Sequence, residues 1–163
     1  MQRIERITRK GDWSGDAADT ITLDETGRHR RRIRLTTDGG RAILLDLPET
    51  TLLRDGDGLP LPDGGTILVR AAPEALYEVR AANPSPERLL QLAWHLGNRH
   101  LPAQIFSDRI LIRRDHVIRD MLSGLGASVR EIIAPFDPEG GAYGDHGHAH
   151  THDAHSHSHS HSD

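Results

Sequence analysis

Eight of the chain's twelve histidines fall in the last eighteen of its 163 residues, within "GDHGHAHTHDAHSHSHSHSD". His146, His148, His150 and His152 alternate with other residues, and after Asp153 and Ala154 the same spacing returns at His155, His157, His159 and His161. Neutral imidazole is the commonest protein ligand for borderline divalent metals. In an extended segment alternate side chains point the same way, about 6.5–7 Å apart, so a pliable segment can fold two or three rings onto one ion. Such tracts are compositional signals for metal binding. Ala, Ser, Thr, Asp and Gly interrupt the run, unlike an unbroken purification tag. An inert solvating tail is the remaining bland reading.

A tail of this kind does not define a selective site by itself. Ordering it costs roughly 1–2 kcal/mol per residue in backbone entropy, so selectivity needs a pre-set ligand elsewhere. Four other histidines are available. His29 sits among arginines without a partner in sequence, His95 and His100 bracket "LGNR", and His116 follows Asp115. On one continuous helix His95 and His100 would point about 140° apart, at about 100° per residue, and would not chelate one ion together. Gly97 and Asn98 are expected to stop the helix and leave His100 on the following loop. One histidine is too few for a stable site, but two chains about a two-fold axis could each supply one, with tail histidines completing the shell. At the start of a helix His116 reads either as a surface or packing residue or as a secondary ligand, the positive dipole end disfavouring its protonated form.

The elements that must position these residues fall into two blocks, and the fold class expected is α+β. Residues 1–72 read as short strands, "DTITLDE", "RHRRRIRLTT", "RAILLDL" and "TILVRAA", separated by Asp–Gly and Pro punctuation, a small all-β sandwich or barrel. In "RHRRRIRL", Arg30, Arg32 and Arg34 should share a solvated strand face, with Arg31, Ile33 and Leu35 on the other. Across 1–72 twelve basic residues meet twelve acidic ones, so no positive field favours nucleic acid. "AAPEAL" (71–76) reads as a linker. Residues 73–136 then give strand "LYEVRAA", a helix with Ser85 as N-cap and Pro86 at its first position, strands "AQIFS" and "RILIRR", a helix capped by Asp115, and strand "SVREIIAPF". Leu89, Leu92, Ala93 and Leu96 make one apolar face, and Ile118, Met121, Leu122 and Leu125 another. That order, βαββαβ, is the ferredoxin-like arrangement, with both helices covering one face of the sheet. From about Asp137 to residue 163 a disordered His-rich tail is expected.

Bulk composition narrows the chemistry further. With no cysteine, thiolate zinc sites, iron–sulfur clusters and a Cys nucleophile are excluded, leaving imidazole and carboxylate, which suit nickel, zinc or copper(II). Aromatics are 4%, so the core must be aliphatic. The net charge of -4 argues against a polyanion partner. "MQRIERITRKGDW" lacks the apolar stretch of a signal peptide, and no apolar run approaches the ~18 residues of a membrane span, so a cytoplasmic protein without a membrane partner is expected. No phosphate loop, serine–histidine pair or paired carboxylates make an active site, and an enzyme is not expected.

"WHLGNRHLPAQI" (94–105) resembles the UreE family of urease accessory proteins, nickel metallochaperones of urease maturation. So do "LTTDGGRAILLDLPETTLLRDGDGL", "VRAAPEALYEVRA" and "RRDHVIRDMLSGLG", and the resemblance covers residues 1–136. It implies an N-terminal β domain that binds polypeptide, a ferredoxin-like metal-binding domain, and a homodimer with Ni2+ at its interface, where Zn2+ or Cu2+ may take the same ligands. It places the interfacial ligand at His100 and an auxiliary one at His116, with tail histidines completing or feeding the site. Some relatives carry histidine just before "DHV", where this chain has Arg113 and Arg114. The partners implied are the urease apoprotein and its GTPase maturation factor. Two other readings stand beside delivery: a nickel or zinc buffer without a delivery partner, and a β-rich adaptor with an incidental tail.

Overall fold

The computed structural model describes residues 1–140. The tail histidines His146, His148, His150, His152, His155, His157, His159 and His161, and the expected disorder around them, lie outside the described residues.

The N-terminal block builds two three-stranded sheets from β1 (Gln2–Ile4), β2 (Asp19–Leu23), β3 (His29–Thr36), β4 (Ala42–Leu52), β5 (Gly58–Pro60) and β6 (Thr66–Ala71), with a single-turn helix α1 (Glu25–Arg28) between β2 and β3. One sheet runs β1-β4-β3 and the other β2-β6-β5. Period-two alternation drives the packing: Ile43, Leu45 and Leu47 of β4 are buried, while Ala42, Leu44 and Asp46 between them are not. They meet Ile21, Ile67 and Val69 of the second sheet in one aliphatic core, as the scarcity of aromatics requires.

Two details depart from the sequence expectation. A bulge between Arg30 and Arg32 shifts the register of β3 against β4, so the arginine alternation breaks. Ile33 and Leu35 do pack on the core, but Arg31 is exposed with Arg32 and Arg34, while Arg30 is half-buried. Arg28, expected among solvated arginines, is wholly buried.

The linker expected over 71–76 is instead strand. Only Ala72 separates β6 from β7 (Pro73–Ala81), which begins on a proline at the end of its ladder, where no central hydrogen bond is lost. The rest follows the βαββαβ order: α2 (Pro86–Asn98), β8 (Ala103–Ile105), β9 (Ile110–Arg113), α3 (His116–Gly124) and β10 (Ala127–Pro135). The sheet runs β10-β7-β9-β8, with every neighbouring pair antiparallel. Both helices cover one face: Leu89, Leu92 and Leu96 of α2 and Ile118 and Leu122 of α3 pack on Tyr77, Val79, Ile110 and Ile112. Leu125 does not join the stripe. It lies past the end of α3 as its C-cap, where helical spacing no longer sets direction, and it is exposed.

On the opposite sheet face Phe136 packs with Leu76 and Leu111, beside a polar joint to the N-terminal block. Arg28 donates to the carbonyls of Leu23 and Leu53, to that of Phe136, and to Asp137 at 3.1 Å. Arg54 also reaches Asp137, at 3.2 Å. Arg113 pairs with Glu25, whose other oxygen lies 2.8 Å from His29 Nε2. Fixed structure therefore runs past Asp137, where the sequence suggested it would give out.

Candidate metal centre

The position of His100 is set by α2. Ser85 Oγ accepts from the Arg88 amide at 3.1 Å, and Pro86 opens the first turn, as the sequence indicates. The leucine stripe then seats the helix. The helix stops at Asn98 and leaves His100 in the turn that follows, as the sequence indicates; Arg99 is the C-cap, and the left-handed residue is His100 itself, at φ 55°, not Gly97 or Asn98. Among the described residues it is the only non-glycine with positive φ. Histidine tolerates this region better than most residues, and the His100 amide donates to the Gly97 carbonyl at 3.1 Å, closing the turn. Gly97 faces open space, since a Cβ there would meet nothing within 4 Å. His100 is exposed, and Leu101 and Pro102 lead directly into β8.

The other histidines are placed apart from it in role. His95 is half-buried, its ring edge-on to Trp94 at 5.1 Å between centroids. His116 is exposed and opens α3, where the Asp115 carboxylate caps the amides of Val117 and Ile118 at 2.9 and 3.2 Å. Next to it Arg114, one of the two arginines before "DHV", donates to the carbonyls of Leu76 and Ile132, bracing β7 against β10. Among the described residues no three His, Asp or Glu side chains converge to hold a metal. One chain's His100 is thus at most part of a ligand set. The Glu78 carboxylate, held below the usual range chiefly by its hydrogen bond to the Arg80 side chain, is an ion-pair residue on the sheet face away from the helices.

The outer face of α2 carries a feature beyond the sequence expectations. Besides its buried stripe, α2 carries Leu90 at 70% and Trp94 at 65% exposure. With Gly97 they recur at i, i+4 and i+7, a second apolar stripe on the outer face that ends beside His100. The signal was the same helical spacing, offset by one residue from Leu89.

Residues 1–72 match the family model "UreE urease accessory protein, N-terminal domain", and residues 74–162 match "UreE urease accessory protein, C-terminal domain". The chain belongs to the UreE family. A "Urease accessory protein UreE" of Chelativorans sp. (strain BNC1) is 62% identical over 146 residues, 90% of this chain and 89% of that protein. One of Rhodopseudomonas palustris (strain HaA2) is 54% identical over 143 residues, 88% of this chain and 66% of its own. One of Ruegeria pomeroyi is 52% identical over 141 residues, 86% and 90% respectively. In this UreE chain the "GNRH" element is the exposed end of α2, and "RRDHV" is the strand-to-helix turn that Arg114 and Asp115 build.

Proposed function

We propose that the protein is a cytoplasmic metallochaperone that binds Ni2+ as cargo and delivers it to the urease apoprotein, working with that enzyme's GTPase maturation factor. Membership of a family named for accessory proteins of urease supports the setting. The observation that carries the metal role is His100, an exposed imidazole at a helix end, bordered by an apolar stripe that no described residue covers. Exposed tryptophan and leucine side by side mark an interaction surface. A second copy about a two-fold axis would cover Leu90 and Trp94, and the bare Gly97 would allow the helices to approach closely. Two His100 rings would then share one ion. Tail histidines, and His116 as an auxiliary ligand, would add capacity and ligands. Zn2+ and Cu2+ suit the same imidazoles.

The test is nickel titration of the full chain and of a chain ended after Gly144, with dimer mass measured alongside. The truncated protein should keep about one tight ion per dimer and most of its delivery activity. His100→Ala should abolish that tight ion, and Trp94→Glu should yield monomer and lose it too. Tight binding that survives His100→Ala in the truncated dimer would refute the interfacial site. A buffer, the second reading, would instead lose its capacity and its whole function with the tail.

A further inference from the structure

We infer that a cleft between α2 and the turn from α3 into β10 binds a small organic carboxylate, with Arg88 as the residue that takes the carboxylate group. The cleft does not include His100, and its ligand does not depend on the nickel reading.

The cleft encloses about 170 Å³, close to the roughly 150 Å³ that holds a benzene molecule in an apolar protein cavity. Arg88, Gln91 and His95 line it from α2, spaced i, i+3, i+7 along one side of the helix. Leu92, buried in the core, is its floor, and Leu125 closes the far side. Two turns wall the ends, and the Ala82 amide ties them together by donating to the Gly126 carbonyl at 3.0 Å. The shape is therefore set by backbone bonding as well as by side chains. At about 100° per residue, the Arg88, Gln91 and His95 side lies about 130° round α2 from Leu90, Trp94 and Gly97. A second copy seated on the outer stripe leaves the cleft open.

The charges decide what fits. Six of the eight arginines in residues 73–136 meet a carboxylate, namely Arg80, Arg109, Arg113, Arg114, Arg119 and Arg130. Arg88 does not, and no Asp or Glu lines the cleft it faces. Among the described residues the side chains of Arg88, Gln91 and Asn83, which also lines the cleft, have no hydrogen-bond or ion-pair partner. The His95 ring has only its edge contact with Trp94. A guanidinium matches a carboxylate with two parallel hydrogen bonds, and the neighbouring amides and imidazole supply further donors. A bare inorganic anion would satisfy Arg88 but leave Leu92 and Leu125 uncovered. A neutral apolar molecule would cover the leucines and leave the polar groups without partners. A compact apolar body carrying one carboxylate meets both halves, the usual make-up of a small-molecule pocket.

The test is two-dimensional NMR of the isotope-labelled full chain without nickel, with benzoate as the probe. Saturable shifts should appear at the amides of Ala82, Arg88, Gln91 and Gly126, with a Kd of about 1 mM. Benzamide has the same shape without the charge and should bind at least about 10-fold more weakly, as should inorganic phosphate. Arg88→Met should weaken benzoate by about 10-fold and leave the melting temperature unchanged. Arg88→Lys keeps the charge without the fork and should lose about 3-fold. His100→Ala should bind benzoate as the unaltered chain does. Glutamate blocked as its N-acetyl α-amide presents the same group as a protein side chain does, and weaker binding than benzoate assigns the cleft to free organic acids. Tighter binding of the blocked glutamate overturns that assignment in favour of an acidic side chain from a partner. Equal affinity for benzoate and benzamide overturns the carboxylate reading, as does unchanged binding in Arg88→Met. An absence of saturable shifts up to about 20 mM benzoate overturns the site itself.

Discussion

The joint around Arg28 and the end of α2 at His100 handle a nitrogen-bearing side chain in opposite ways. Arg28 is wholly buried, and its donors are met by three carbonyls and a carboxylate drawn from Leu23, Leu53, Phe136 and Asp137. His100 is exposed, and among the described residues its ring has no hydrogen-bond or ion-pair partner. A buried cation must be fully paired, or its desolvation is left uncompensated. A ligand for a cargo ion must stay unpaired, or the ion has to break a bond to enter. The contrast separates the part of the molecule that fixes shape from the part that is kept open for binding. Both sit at the ends of elements whose geometry is otherwise regular.

The largest effect should come from the joint. Arg28→Ala strands the buried carbonyls of Leu53 and Phe136, while that of Leu23 keeps the Ala72 amide, and it leaves Asp137 with Arg54 alone, at a cost of about 3–5 kcal/mol. Urea unfolding should show it as a lower midpoint. His100→Ala, at an exposed position, should change stability by no more than about 0.5 kcal/mol while removing the tight nickel ion. If the two substitutions cost the same stability, the division between a shape-fixing joint and an open site is wrong.

How much of this was legible in the sequence follows the same division. Local signals carried the helices: Ser85 with Pro86 and Asp115 before His116 cap as their types require, and the leucine spacings point where they should except at Leu125, past the end of α3. The βαββαβ order followed from them. Arg28 was not legible, because its partners lie as far as 109 residues away in sequence, and "RHRRRIRL" looks like a solvated strand until those partners fold around it. Helix α1 is a single turn, too short for periodicity to register. The false linker over 71–76 came from reading Pro73 as punctuation, when a proline at the first position of a strand is tolerated. His100 was legible as a residue but not in its backbone. Gly97 and Asn98 are better left-handed residues than His100 by type, yet both keep helical backbone up to the helix end at Asn98 and the left-handed turn falls on His100. Exposed Gly97 costs the helix about 1 kcal/mol, and the fit of Leu96 into the core holds the turn together.

A smaller effect should separate the regions by pH. Asp19 is held below the ordinary carboxylate range chiefly by the Thr37 hydroxyl, then by the Thr20 amide. Asp38 is held down by the hydroxyls of Thr20 and Thr22. For groups lowered on folding, the unfolded state binds protons first as pH falls from neutral. Their stabilisation is therefore present above the unfolded value of about 3.9 and lost as pH drops through the folded values. Protons compete with metal for imidazole much earlier, from about pH 6.5 downwards. Nickel should leave progressively between about pH 7 and 5 with the circular dichroism unchanged, and the fold should weaken only below about pH 4. Asp19→Asn should flatten that acid limb without touching nickel release. Coincident loss of metal and fold would show that the site is not independent of the frame.

The smallest effect bears most directly on what the open site gives up. His100 holds a left-handed backbone at φ 55°, a conformation in which glycine is free of the Cβ penalty. Against that gain, glycine also enlarges the entropy of the unfolded chain, which removes part of it. His100→Gly should therefore stabilise the truncated dimer slightly, by a few tenths of a kcal/mol, while abolishing the tight nickel ion. His100→Asn should match it in tolerating the backbone and also lose the metal. A histidine kept at a position where glycine folds better is placed there for its ring, not for the turn. If His100→Gly instead destabilises the protein by 1 kcal/mol or more, the ring supports the helix end through packing, and the helix terminus belongs with the joint rather than apart from it.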